Sequence, residues 1–214
     1  MLAEVGGESG GQEKLEINKD LLLKYRVHLG RNIKTAFSEK FIYAVHPRGF
    51  YLIDLSKTLE RLEVAARFLS LYEPEEVLIF SGREYGFKAI ELMSRLTGFK
   101  CLYGRFLPGT LTNYILSSHH EVSVLLVIDH TYDRQAVNEA VKTKIPIVSF
   151  VDTNSNGEYV DLAIPANNKG RYSIAALLWI LTVMILRERG LLKSDEIIDV
   201  PIEEFIYEKR MAEV

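Results

Sequence analysis

Cysteine is almost missing from this chain: 214 residues contain one, Cys101. A lone thiol excludes an intramolecular disulfide and fits a reducing compartment. Long apolar runs are missing too. The longest, "IAALLWILTVMIL" from Ile174 to Leu186, has 13 residues and lies between Arg171 and Arg187. A membrane span needs about 18, so this run reads as a core helix buried on most sides, with Trp179 inside it. The opening "MLAEVGGESGGQEKLEIN" lacks the apolar segment of a secretory signal. There is no general excess of basic residues: the formal net charge is −3. That balance argues against a uniformly cationic nucleic-acid coat. The chain is expected to be soluble and cytosolic.

What is present is a local charge pattern and ample core material. Apolar residues make up 48% of the chain, enough for one full-size core without metals or disulfides. Between residues 21 and 50, six bases (Lys24, Arg26, Arg31, Lys34, Lys40, Arg48) stand against one acid, Glu39. Both ends of the chain are acidic. A basic segment between acidic ends is an electrostatic footprint for an anionic partner.

Three regions are expected: residues 1–16 as a Gly- and Glu-rich disordered tail, 17–190 as one α/β domain, and 191–214 as an acidic C-terminal tail. "KDLLLKYRVHLG" reads as a short helix stopped by Gly30. "FIYAV-HPRG-FYLIDL" reads as a β-hairpin around a Pro/Gly turn. Ser56 is expected to cap the helix that follows. From there, buried-type strand runs ("EVLIF", "KCLYG", "VSVLLVID", "IPIVSFVD", "YVDLAIP") alternate with helical patterns. That alternation predicts an α/β, three-layer, flavodoxin-like fold with a mostly parallel five-stranded sheet. A further helix is expected from Thr110 to Ser118.

Ligands of such sheets bind beyond the C-terminal strand ends. "SGREYG" after the first of these strands offers free N–H groups for a phosphate, or is an ordinary strand-to-helix turn. It fits neither of the glycine-rich nucleotide fingerprints. Asp129, His130 and Asp133 could form an acid–base or metal pair, but Asp133 is better placed to cap the next helix. No serine sits in a nucleophile elbow, and Cys101 reads as an inert core thiol. No catalytic residue, metal ligand or cofactor is assigned.

The loop "YGRFLPGTLTNY", Tyr103 to Tyr114, differs from these. Arg105 is a planar cation suited to phosphate, and Phe106 can anchor or stack. Pro108-Gly109 makes a turn before Thr110, Thr112 and Asn113. Hydroxyls, amides and free N–H groups are the inventory that grips a nucleic-acid backbone. The same residues would also suit a self-contained corner.

"GRFLPGTLTN" resembles the "GRFxPGTxTN" signature of the small-subunit ribosomal protein family S-two. "RVHLGRNIKT" is similar to that family's "GVHxGHxTR" segment, with arginines at 26 and 31 in place of the Gly and second His. "FIYAVHPRGFYLIDLSKTLERLEVAARFL" and "VDTNSNGEYVDLAIPANNKGRYSIAALLW" resemble its hairpin region and its later segment. The resemblance covers roughly residues 18–190. Only one helix fills Asp54–Glu76, so the coiled-coil insertion of bacterial members is not expected. "AIPANNKG" is closer to the archaeal and eukaryotic pattern. Asp129-His130 departs from the family's frequent Asp-Pro.

The resemblance implies a structural constituent of the small ribosomal subunit, a cytoplasmic ribosome component rather than an enzyme. Its partners would be small-subunit ribosomal RNA and neighbouring ribosomal proteins near the head–body junction, with no membrane and no small-molecule substrate. The expected RNA-binding residues are His28, Arg31, Lys34 and Lys40 in the basic segment, and Arg105, Thr110, Thr112 and Asn113 in the loop. Arg83, Lys88, Lys169 and Arg171 are added at the strand ends. The competing reading is a phosphate- or nucleotide-binding α/β protein using "SGREYG" and "VDTN".

Overall fold

A computed structural model describes residues 17–193 and 195–208. The expected tail over residues 1–16 lies outside them. Helix α1 (Lys19–Lys24) leads through a 3₁₀ turn (Glu39–Phe41) to a hairpin of β1 (Ile42–Val45) and β2 (Tyr51–Ile53), then α2 (Leu55–Ser70). The main sheet uses β3 (Val77–Ser81), β4 (Lys100–Tyr103), β5 (Val124–Val127), β6 (Ile147–Val151) and β7 (Leu162–Pro165). Between and after them come α3 (Glu84–Thr97), α4 (Arg134–Thr143), α5 (Arg171–Glu188) and α6 (Ile202–Phe205).

All the main-sheet pairings are parallel, in the order β4-β3-β5-β6-β7. This is the flavodoxin-like order, with its switch point between β3 and β5. The central strands are buried along their whole length, as a sheet covered on both faces requires. Successive side chains alternate between faces. Val77 and Ile79 join the large core with α2, α3 and α5. Leu78 and Phe80 point to a smaller core with Ala136, Val137 and Ala140 of α4. Among the described residues, only one helix lies on that second face. Phe106 and Leu111 of the signature loop complete it, so the loop covers core in place of a helix.

Several boundaries differ from expectation. Helix α1 ends at Lys24, not at Gly30, because Arg26 turns into the left-handed region at φ 59°. Asp54, not Ser56, caps α2: its carboxylate accepts from the Ser56 N–H at 2.9 Å. Cys101 is half-buried, not a core thiol, because β4 is an edge strand. Helix α5 is buried nearly all round, as its composition requires. Part of its cover comes from the segment expected to be an acidic tail. Ile198, Ile202 and Phe205 enter the large core. The Trp179 indole donates to the Val200 carbonyl at 2.8 Å. The Tyr25 hydroxyl donates to Glu203 at 2.9 Å, tying α1 to α6.

Candidate nucleic-acid interface

The signature loop is built around a buried acid. Glu139 of α4 is 3% exposed. One of its oxygens accepts from the Gly109 N–H at 2.8 Å and the other from the Leu111 N–H at 3.0 Å. Gln135 donates to the first oxygen at 2.8 Å, and Thr112 reaches the second at 3.5 Å. Gly109 sits at φ +95°, where a side chain would be strained. Phe106 packs edge-on against Phe80, with ring centres 4.9 Å apart. The helix expected over Thr110–Ser118 is absent. A carboxylate from another element fixes the loop backbone at Gly109 and Leu111. The segment instead forms successive turns, closed by the His120 N–H donating to the Thr110 carbonyl at 2.8 Å.

This geometry sorts the four loop residues. Arg105 is exposed and in no ion pair among the described residues. The Thr112 residue is exposed although its hydroxyl leans toward Glu139. Thr110 is 2% exposed and donates to the Leu107 carbonyl at 2.7 Å; its role is to hold the turn, not to reach a partner. Asn113 accepts from the Ile115 N–H at 3.1 Å, again shaping the loop. The outer surface carries Leu107, Tyr114 and Ile115, all exposed.

The basic segment lies across the loop that follows β6. The Gly30 N–H donates to the Tyr51 carbonyl at 2.9 Å, and the Arg31 N–H to the Thr153 hydroxyl at 2.8 Å. The Thr35 hydroxyl donates to the Ser155 carbonyl and the Ser38 hydroxyl to the Thr153 carbonyl, both at 2.6 Å. A Cβ on residue 30 would lie 2.4 Å from the Thr153 methyl and 2.9 Å from the Tyr51 carbonyl, so the crossing demands glycine. Arg31, Lys34 and Lys40 are displayed on the outside. Lys34 pairs with Glu39 at 2.5 Å, an exposed contact of little energetic weight. Lys40 lies over the Phe37 and Phe41 rings at 4.4 and 5.0 Å. His28 does not join them. It walls a cleft with Leu23, Tyr43 and Leu52. Burial lowers its pKa, and its Nδ1 is without a partner.

The strand ends between these two regions are filled by the protein's own groups. Three N–H groups of "SGREYG" are taken: Gly82 donates to Asp133 at 2.8 Å, Arg83 to the Ser81 hydroxyl at 3.1 Å and Gly86 to the Arg83 carbonyl at 2.9 Å. Asp133 occupies the position before α4 but makes no capping bond there. Burial pushes its carboxyl up to about 7, against the two backbone donors and Arg83, which favour the anion. Arg83 grips Asp129 through two nitrogens, at 2.8 and 3.2 Å, and stacks over Tyr132 at 4.4 Å. Lys169 bonds Asp152 at 2.8 Å and Asn154 at 2.5 Å. Arg83 and Lys169 thus hold strand-end loops together. Lys88 is half-buried in a separate cleft with Phe87, Tyr103 and Tyr207.

Arg171 is exposed and stacks on Tyr172 at 4.6 Å. It lines one cleft with Arg26, Lys169 and Tyr85. Tyr85 and Tyr172 were not singled out from sequence; arginine beside tyrosine at a domain's edge is the signal that would have found Tyr172. No group of three or more metal-ligating side chains occurs among the described residues. Among them, no helix is long and apolar enough to cross a membrane.

Fold and rim together define a flavodoxin-like domain whose usual ligand edge is closed by internal ion pairs and flanked by two cation-bearing segments. Comparison with known proteins supplies the family. The family model described as ribosomal protein S2 matches residues 22–122 and 115–187. A protein named small ribosomal subunit protein uS2 from Pyrobaculum islandicum is 46% identical over 181 residues, covering 84% of this chain and 87% of its own length. The one from Saccharolobus solfataricus is 42% identical over 215 residues, 94% and 93% of the two chains. The one from Aeropyrum pernix is 46% identical over 193 residues, 90% and 94%. The chain belongs to the ribosomal protein S2 family, in its archaeal type. It is a ribosomal structural component and not an enzyme.

Proposed function

We propose that the chain is a structural constituent of the small ribosomal subunit in the cytoplasm, contributing to translation by holding small-subunit ribosomal RNA against neighbouring ribosomal proteins. One observation carries this reading beyond family membership: both cation-bearing segments are fastened to the sheet domain by buried and part-buried hydrogen bonds. Glu139 fixes the loop, and Thr153 fixes the basic segment. Arg31, Lys40 and Arg105 are thereby displayed from rigid supports, and Arg171 from the start of α5. Fixed cations with few free base-reading groups suit recognition of RNA shape through phosphate and ribose. Exposed Tyr114 and Ile115 suit contact with another protein.

The competing reading, a small phosphorylated ligand at the strand ends, is disfavoured by Asp133. Its carboxyl group occupies the Gly82 N–H that a phosphate would need. Co-sedimentation of the purified chain with small subunits lacking their own copy tests the proposal. Stoichiometric retention at moderate salt is expected. Absence of retention, together with saturable thermal stabilisation by a nucleotide, would reverse the order of the two readings.

A further inference from the structure

The switch point between β3 and β5 opens into a cleft of about 320 Å³, lined by Phe80, Gly82, Gly104, Arg105, Phe106 and Tyr132, among others. Its chemistry is uneven in a specific way. The floor presents Asp133, held by the Gly82 N–H at 2.8 Å and the Asp129 N–H at 3.4 Å. A phosphate entering here would meet the Asp133 carboxyl group on the Gly82 N–H, which disfavours phosphate-inward binding. The walls are aromatic: Phe80 and Phe106 meet edge-on, and Tyr132 stands opposite the loop. Arg83 covers the Tyr132 ring at 4.4 Å yet takes no part in lining the cleft, so the ring keeps a surface toward it. Asp129 holds that pair in place, through Arg83 and through the Tyr132 N–H at 3.4 Å. At residues 82 and 104 only backbone borders the opening. The single cation of the lining, Arg105, is exposed.

We propose that this cleft receives one unpaired nucleobase of an RNA strand, stacked on Tyr132, with the adjoining backbone phosphate on Arg105. The inference rests on the RNA-binding reading above and names the RNA feature bound. An aromatic wall with a polar floor accepts any base face, and a cation at the mouth meets the strand's backbone. A duplex keeps its bases paired and stacked and presents no free base face to the cleft, so duplex RNA does not enter. Asp133, whose proton is retained to about pH 7 through burial, offers a hydrogen-bonding edge without a full negative charge.

The test uses the full chain and single-stranded octaribonucleotides carrying 2-aminopurine at one interior position, with fluorescence and the Gly82 and Gly104 amide NMR signals as readouts. The expected results are a saturable fluorescence change and shifts of both glycine amides. Affinity should fall on the order of tenfold in Tyr132→Ala and stay within about threefold in Tyr132→Phe. A duplex of the same length should not compete. Tyr132 is 57% exposed, so its truncation spares the core. Unmoved glycine amides, or equal affinity of Tyr132→Ala and wild type, overturn the base site. If ribosomal RNA binding persists in that case, the RNA-binding reading stands without it. If wild type binds neither oligonucleotide nor ribosomal RNA, both fail.

Discussion

Replacing Glu139 with alanine removes the acceptor of two backbone N–H groups that shape the signature loop. The Leu111 N–H is buried and would be left unpaired, while the Gly109 N–H is only partly buried and water can reach it. A buried donor without a partner costs about 1–3 kcal/mol, and a hydrogen bond to a charged group contributes about 1.5–3. Removing the carboxylate also removes the penalty of keeping it buried, which offsets part of the loss. The net destabilisation is about 2–4 kcal/mol, read as a shifted urea midpoint with an unchanged slope. Glu139→Gln keeps one acceptor oxygen and should lose roughly half as much. Amide exchange at Gly109 and Leu111 should quicken in both variants, because the loop loses its tether before the sheet does. A loss below about 0.5 kcal/mol with unchanged exchange would refute the idea that this acid builds the loop.

Gly30→Ala should cost about 1–3 kcal/mol, since its Cβ would meet the Thr153 methyl at 2.4 Å and a backbone carbonyl at 2.9 Å; it should also free the Thr35 and Arg31 amides to exchange. Phe205→Ala should cost about 3–5 kcal/mol because the ring is fully buried against the main core; an unchanged denaturation midpoint would mean that α6 does not dock. Asp133 should make stability fall as pH rises between its ordinary 3.8 and about 7, since there the folded state keeps a proton that the unfolded state has lost. Relative to Asp133→Asn, wild type should therefore lose up to about 1.4 kcal/mol per pH unit in that window. Parallel pH profiles for the two proteins would contradict this.

The sheet was legible because its strands are continuous apolar runs separated by helical periods, a pattern that only a doubly covered parallel sheet satisfies. The exposure of Arg105 and Arg31 was legible because neither has an acidic residue close by in sequence. The loop's interior was not legible. Glu139 sits in "NEAVK", which reads as an ordinary exposed helix face, and its partners lie 28 and 30 residues away. Thr110 looked like a ligand because a threonine after Pro-Gly does so equally well whether its hydroxyl faces outward or caps a turn. The internal ion pairs of Arg83 and Lys169 were not legible either. Asp129 and Asp152 reach them only after parallel pairing brings separate strand ends together. The acidic C-terminal segment looked like a tail because its charged residues outnumber the apolar side chains that dock.

The central claim is that fixed cations on the rim hold RNA phosphates. Binding of wild type, Arg31→Ala and Arg105→Ala to small-subunit ribosomal RNA, measured across salt concentrations, tests it most directly. The log–log slope should be steep in wild type and shallower by roughly 0.7–0.9 in each variant. A wild-type affinity indifferent to salt, or identical slopes in all three proteins, would contradict the claim.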